Sequence, residues 1–108
     1  MKFIIFIVLS AVCVGVQAGD VPELWSSIKD LNKSKEACEV QSSFVLQGMD
    51  VKSRTENDYG IYAVIKSNRV VIKCIAVAKN KSKLLVAVAG DDRDAVELIR
   101  NALVKAIN

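Results

Sequence analysis

The residues best suited to form a specific covalent bond are two cysteines, Cys38 and Cys74. The third cysteine, Cys13, is set aside because it lies in an apolar N-terminal stretch. In an oxidising secretory route an isolated pair of thiols most simply forms one disulfide. Closing a loop of this length stabilises a fold by about 3–4 kcal/mol in the chain-entropy model. We therefore predict a Cys38–Cys74 bond, with free buried thiols or a disulfide-linked dimer as the alternatives.

The sequence has few residues suited to catalysis or metal binding. The 108 residues contain no histidine, which removes the commonest general base and zinc ligand. No glycine-rich phosphate loop is found among the five glycines. Asp91, Asp92 and Asp94 form an acidic run, but without an EF-hand's glycine and distal glutamate it favours a helix N-terminus over a calcium site. We predict a non-enzyme with no cofactor and no metal.

Two glycosylation acceptor patterns occur, at Asn32-Lys33-Ser34 and Asn80-Lys81-Ser82. Both fall where we expect exposed turns. In a eukaryotic secreted glycoprotein one or both would carry sugar, and in a bacterial protein the matches would be accidental.

Residues 1–18 have the features of a signal peptide. Lys2 precedes an uncharged apolar run, and Val16-Gln17-Ala18 offers small residues for cleavage. An uncleaved anchor is the alternative, but the run is short for a membrane span. We expect a single secreted, extracellular domain over residues 19–108. Removing the leader takes away one cation and no anion, so the net charge falls from +3 to about +2. A net charge this small says little about which partners the protein binds.

The stretch from Asp20 to Leu31 is predicted to be a helix. Asp20 and Glu23 have the spacing of a capping box, and apolar residues recur at three- and four-residue steps. Trp25 lies on this apolar stripe. It is interpreted as a core residue, with a membrane or partner anchor as the alternative.

Four strands and a second helix follow. We predict a short edge strand around residues 44–46, a loop over 50–58, and an antiparallel meander of Ile61–Lys66, Val70–Lys79 and Lys83–Ala89. A helix over 91–106 is predicted from an apolar stripe and its acidic start, with Gly90 as a permissive joint. The stripe comprises Ala95, Leu98, Ile99, Ala102, Leu103 and Ala106. The fold class is therefore α+β: an N-terminal helix, a three- to four-stranded antiparallel meander, a C-terminal helix and one disulfide.

The strand register predicts one covered and one open face of the sheet. A two-residue turn at Ser67-Asn68 pairs Ile65 with Val70, and a three-residue turn at 80–82 puts Leu84, Val86 and Val88 on the same face. If both helices cover that face, the other is a candidate binding surface, whether for an acidic protein or for a second copy. If one helix instead crosses to the other face, that face is part of the core. Its predicted members are Tyr62, Val64, Lys66, Val71, Lys73, Ile75, Val77, Lys79 and Leu85.

These features favour a small secreted, non-catalytic binding or effector protein that acts through protein–protein contacts. The predicted order of a helix followed by an antiparallel sheet resembles the cystatins, secreted inhibitors of cysteine proteases. That resemblance implies an inhibitor acting through a hairpin loop as a second hypothesis. Neither the Gln-x-Val-x-Gly loop nor the Pro-Trp hairpin of cystatins is present. A weakly cationic antimicrobial or membrane-active protein is a third hypothesis, disfavoured by the low net charge. No nucleic acid or stable membrane insertion is expected.

Overall fold

A five-stranded antiparallel sheet with two helices forms the part of the chain described by the computed structural model, residues 21–108. The elements in chain order are β1 (Glu23–Leu31), α1 (Lys35–Gln47), β2 (Val51–Asn57), β3 (Gly60–Ile65), β4 (Asn68–Ala78), β5 (Lys81–Gly90) and α2 (Arg93–Ala106). The α+β class is confirmed, but the N-terminal helix and the number of strands were predicted wrongly. The predicted signal peptide lies outside the described residues.

The strand order in the sheet is β1-β5-β4-β3-β2. Strands β2 to β5 form a continuous meander, and β1 pairs with β5 at the other edge. The connection through α1 must therefore pass from one edge of the sheet to the other. α1 packs on β4 and β5, and α2 packs on β1 and β5.

Both helices lie on the same face of the sheet, which we call the inner face. Leu84, Val86 and Val88 of β5 are completely buried there, as predicted. They share one core with Leu46 of α1 and Leu103 of α2. Since cross-strand partners share a face, the residues that alternate with them point to the opposite, outer face.

The stretch predicted as the first helix is the edge strand β1. Burial alternates residue by residue along it, with Trp25 and Leu31 turned inward and Leu24 and Ile28 left 71% and 67% exposed. The apolar spacing fits a helical stripe, but these residues have a long strand, β5, as a hydrogen-bonding partner over nine register positions. Tertiary pairing therefore overrides the local helical pattern.

The first helix lies later in the chain than predicted. Ser34 caps α1 by accepting a hydrogen bond from the Ala37 N–H at 3.1 Å. Cys38, Ser42 and Leu46 recur every four residues and are buried, so the predicted strand at 44–46 is helical instead. Phe44 is 67% exposed on this helix.

Residues predicted as a loop form β2, which pairs with β3. Most of its side chains are exposed, because it is an edge strand. It therefore lacks the apolar alternation that identifies half-buried strands. Arg54 on this strand reaches α1, where its Nη2 donates to Ser43 Oγ at 2.6 Å, and it also pairs with Glu56.

The hairpin turns differ from prediction while the faces remain as predicted. The β3–β4 turn is Lys66-Ser67, with Lys66 at a φ of 56°, so Ile65 pairs with Asn68. This shifts the predicted register by two residues, which preserves the side-chain face. The β4–β5 turn also has only two residues, and an irregularity at Val77 restores the alternation.

Two glycines are required by close approaches of the chain. Gly60 has a φ of 151°, and a Cβ there would lie 2.8 Å from the carbonyl oxygen of Ile72. Gly90 was predicted to provide conformational freedom before the last helix. Its role is steric instead, since a Cβ would overlap Asn68 Oδ1.

The last helix is confirmed, but its buried stripe is rotated from the predicted one. Asp92 is the N-cap and accepts from the Asp94 N–H at 3.0 Å, so this aspartate acts as a helix cap. The residues turned inward are Val96, Ile99 and Leu103. Leu98 was placed on the stripe but is 71% exposed.

The C-terminal end of α2 is held by side chains from two other elements. Lys29 of β1 donates from Nζ to the carbonyl oxygens of Val104 at 2.7 Å and Ile107 at 2.9 Å. Gln41 of α1 donates to the Ala106 carbonyl at 3.2 Å. A cation at this end is favourable because the last carbonyls lack helical partners and carry the negative end of the helix dipole.

The rotated stripe gives a direct test of how α2 packs. Leu103→Ala should lower the free energy of unfolding by about 2–4 kcal/mol, because it empties a fully buried site. Leu98→Ala is the matched control and should change it by no more than about 0.5 kcal/mol. Urea unfolding followed by circular dichroism measures both. Equal losses would show that α2 does not use this stripe.

Candidate binding face

The outer face carries apolar side chains from four neighbouring strands. β1 contributes Leu24 and Ile28, β5 contributes Leu85 beside small alanines, and β4 and β3 contribute the residues predicted from sequence. In order along the chain the large apolar members are Leu24, Ile28, Tyr62, Val64, Val71, Ile75 and Leu85.

The strand register makes this set contiguous. Tyr62 pairs with Val71, Val71 with Ala87, and Ala87 with Ser26, which forms one row across the sheet. In the next row Lys73 pairs with Leu85, and Leu85 with Ile28. Because strands are spaced about 4.8 Å apart, neighbours in a row touch and the patch spans four strands.

Exposure within the patch rises toward its margins. Val64, Val71 and Leu85, which have strands on both sides, are half-buried by their neighbours. Tyr62 is 37% exposed and Ile75 48% exposed. No helix from residues 21–108 covers this face, because both lie on the other side.

The charges on this face are predominantly positive. Arg69, Lys73 and Lys83 occupy outer positions, and within residues 21–108 the one carboxylate at such a position is Asp30. Lys83 Nζ lies 2.8 Å from Asp30 Oδ1, and this hydrogen bond holds the pKa of Asp30 below its usual value. No carboxylate of the described residues lies within 4.0 Å of Arg69 or Lys73.

The structure brings together six of the nine predicted residues of the binding face: Tyr62, Val64, Val71, Lys73, Ile75 and Leu85. The other three lie at the ends of the sheet. Lys66 is in the β3–β4 turn, Val77 is at the β4 irregularity, and Lys79 is in the β4–β5 turn.

Sequence reasoning missed Leu24, Ile28 and Arg69. The two β1 residues were assigned to the buried stripe of a helix, and their alternation with Trp25, Ser27 and Lys29 was the signal that would have identified them. Arg69 falls between the predicted turn at Ser67-Asn68 and the predicted strand Val70–Lys79, whereas β4 begins one residue before it.

The Cys38–Cys74 disulfide is confirmed. It joins the first turn of α1 to the inner face of β4, with the two Cα atoms 5.9 Å apart. Cys38 lies near the beginning of α1. The bond fixes α1 over the central strands and so helps keep that helix off the outer face.

Trp25 belongs to the packing between β1 and α2. Arg93 and Arg100 of α2 each place a guanidinium 5.2 Å from its ring centroid. Its Nε1 donates to Glu23 Oε1 at 3.2 Å. These contacts agree with the interpretation of Trp25 as a packing residue.

The two glycosylation patterns lie at the same end of the sheet. Asn32 follows β1 and Asn80 is in the β4–β5 turn; both are exposed. Leu31 pairs with Ser82, and Ser82 Oγ donates to the Lys33 carbonyl at 2.9 Å, so the two patterns adjoin. Sugar at either position remains a prediction.

No cluster of three His, Cys, Asp or Glu side chains suited to a metal ion is found in residues 21–108. The helices of that same region are too short and too polar to cross a membrane. No protein-family model matches the chain, and no curated protein matches it as a relative.

Whether the outer face is exposed is tested by making the same substitution on each of the two faces of the sheet. Ile75→Glu places a carboxylate at a half-exposed position beside Lys73, so stability should change by no more than about 0.5 kcal/mol. Ile72→Glu buries a carboxylate in the core, where Ile72 is 1% exposed, and should abolish folding. Circular dichroism and thermal melting compare the two. If Ile75→Glu also fails to fold, the outer face is buried.

Proposed function

We propose that this chain is a secreted, non-catalytic binding protein whose outer face contacts an acidic protein surface. The disulfide supports an oxidising compartment, where such bonds form and persist. The signal-peptide pattern in residues 1–18 supports export.

The observation that carries the proposal is the combination of apolar and cationic groups on one uncovered face. Contiguous exposed apolar patches larger than a few hundred Å² mark interaction sites in soluble proteins. Here the patch spans four strands and includes an aromatic residue, Tyr62, of the kind enriched in interfaces. Arg69 and Lys73 lie within it and lack carboxylate partners among the described residues.

The charge distribution favours an acidic partner over a second copy. In a two-fold dimer built by stacking outer faces, the same patch meets itself. Two surfaces that each carry Arg69, Lys73 and Lys83 against the single outer-face carboxylate of the described residues, Asp30, would then be brought together. Like charges that come to lie opposite one another in such an interface cost several kcal/mol. A partner with carboxylates around an apolar centre satisfies both features.

The position of the cations also favours a protein over a lipid surface. Lys73 lies between Val71 and Ile75 on β4, at the middle of the patch, and is half-buried by its neighbours. Inserting this face into a bilayer would carry that ammonium toward the acyl chains, which is unfavourable. Membrane-binding surfaces instead separate an apolar face from a polar one.

We expect the ¹H–¹⁵N NMR spectrum to change at the outer face when a soluble copolymer of glutamate and tyrosine is added. This probe supplies carboxylates beside apolar rings and so mimics the proposed partner surface. Shifts should concentrate at Tyr62, Val71, Lys73 and Leu85, and affinity should fall as salt is raised, because charge pairs at the patch are screened.

Two variants of equal charge make this test specific. Arg69→Glu with Lys73→Glu should weaken binding by at least about tenfold, which corresponds to about 1.4 kcal/mol. Lys35→Glu with Lys105→Glu changes the net charge equally at positions on the two helices, away from the patch, and should bind nearly as the wild type does. Equal losses in both variants, or shifts centred on the helices, would contradict the proposal. Outer-face shifts with anionic phospholipid vesicles but not with the copolymer would favour the membrane-active hypothesis instead.

A further inference from the structure

A cavity opens on the helical side of the molecule, away from the outer face. Its volume is about 270 Å³, and it lies between the end of α1, the β3–β4 turn and the part of α2 from Ala95 to Ala102. The apolar residues that line it are Met49, Ile65, Ala95, Leu98, Ile99 and Ala102. Asp50, Lys66 and Asn68 complete the wall.

Within residues 21–108, a hydrogen bond joins the two helices toward one end of the pair, and the cavity lies toward the other end. Gln41 of α1 bonds to the Ala106 carbonyl near the end of α2. Toward the opposite end, α1 finishes at Gln47, and α2 presents the small side chains of Ala95 and Ala102. Nothing among the described residues fills the space between them.

The mouth of the cavity exposes a large apolar side chain. Leu98 lies on the wall and is 71% exposed, although it sits on a helix whose neighbouring turns are packed. A molecule seated in the cavity would cover part of this side chain. The hydrophobic effect would therefore favour an apolar occupant.

The volume and the charges define the class of occupant. An apolar cavity of about 150 Å³ holds benzene, so this one suits a body of roughly ten carbon atoms. Asp50 and Lys66 contribute opposite charges to the wall. A purely anionic or cationic head group would meet one like charge, whereas a neutral hydroxyl, carbonyl or amide can donate to or accept from these residues.

We propose that this cavity binds a small neutral amphiphile, with an apolar body of roughly ten carbon atoms and one uncharged hydrogen-bonding group. The site is separate from the outer face and does not depend on the function proposed for it. The cavity and the outer face can be occupied at the same time, because the sheet lies between them.

Titration with 1-decanol tests the proposal, with the ¹³C-labelled methyl group of Met49 as the reporter. The chain has two methionines, Met1 and Met49, and Met49→Leu assigns the signal. The resonance should shift and saturate at one equivalent. Decanoate and decylammonium should each bind about tenfold more weakly than the alcohol, a difference of about 1.4 kcal/mol.

Ala102→Phe and Ala95→Phe place a ring in the cavity and should each weaken decanol binding by at least about tenfold. Ala37→Phe is the control, since Ala37 is exposed on α1 and does not line the cavity. Folded cavity variants that bind as tightly as the wild type would overturn the proposal. If neither variant folds, the wild-type titration decides: no saturable Met49 shift, or tighter binding of either ionic analogue, also overturns it.

Discussion

One-sided burial is the constraint on which the rest of this structure depends. The inner face of the sheet presents Leu84, Val86 and Val88, all fully buried, and both helices are needed to cover it. The Cys38–Cys74 bond attaches α1 to the central strand, and Lys29 attaches the end of α2 to the edge strand β1. With both helices used on one side, the described chain has no element left to cover the other.

β1 has a larger role than its position at the edge suggests. It gives β5 a second partner strand, supplies the ammonium that meets the terminal carbonyls of α2, and places Trp25 beside two arginines of that helix. The same strand turns Leu24 and Ile28 outward, where they extend the apolar patch. One alternating sequence therefore anchors a helix with one set of side chains and enlarges a candidate binding face with the other.

The parts of the fold that were predictable from sequence are those with strong local signals. Strands β3 to β5 are rich in β-branched residues, the acidic start of α2 has a stabilising cap, and two of the three cysteines lie outside the predicted signal peptide. β1 was mistaken for a helix because Val21, Leu24, Trp25 and Ile28 also fit a helical spacing. Only the pairing with β5, a contact distant in sequence, decides between the two periods.

Other errors have equally specific causes. α1 presents a narrow buried stripe that includes the polar Ser42, whose hydroxyl donates to the Cys38 carbonyl at 2.8 Å, so its apolar pattern is weak. β2 is polar on both faces. For the six predicted residues that do lie on the outer face, parity along each strand was sufficient, because a register shifted by two residues leaves every side chain on its original face. The cavity depends on the distance between two helices, which no local pattern encodes.

The central claim, that one sheet face is buried and the other open, is tested most directly by solvent paramagnetic relaxation. A soluble, uncharged gadolinium complex added to the methyl-labelled protein should strongly broaden the methyl signals of Leu85, Val71 and Ile75. The methyl signals of Leu84, Ile72 and Val86, which adjoin Leu85 and Val71 in sequence but lie buried on the inner face, should remain sharp. Equal protection of both sets at dilute protein concentration would show that the outer face is covered, and would contradict the account.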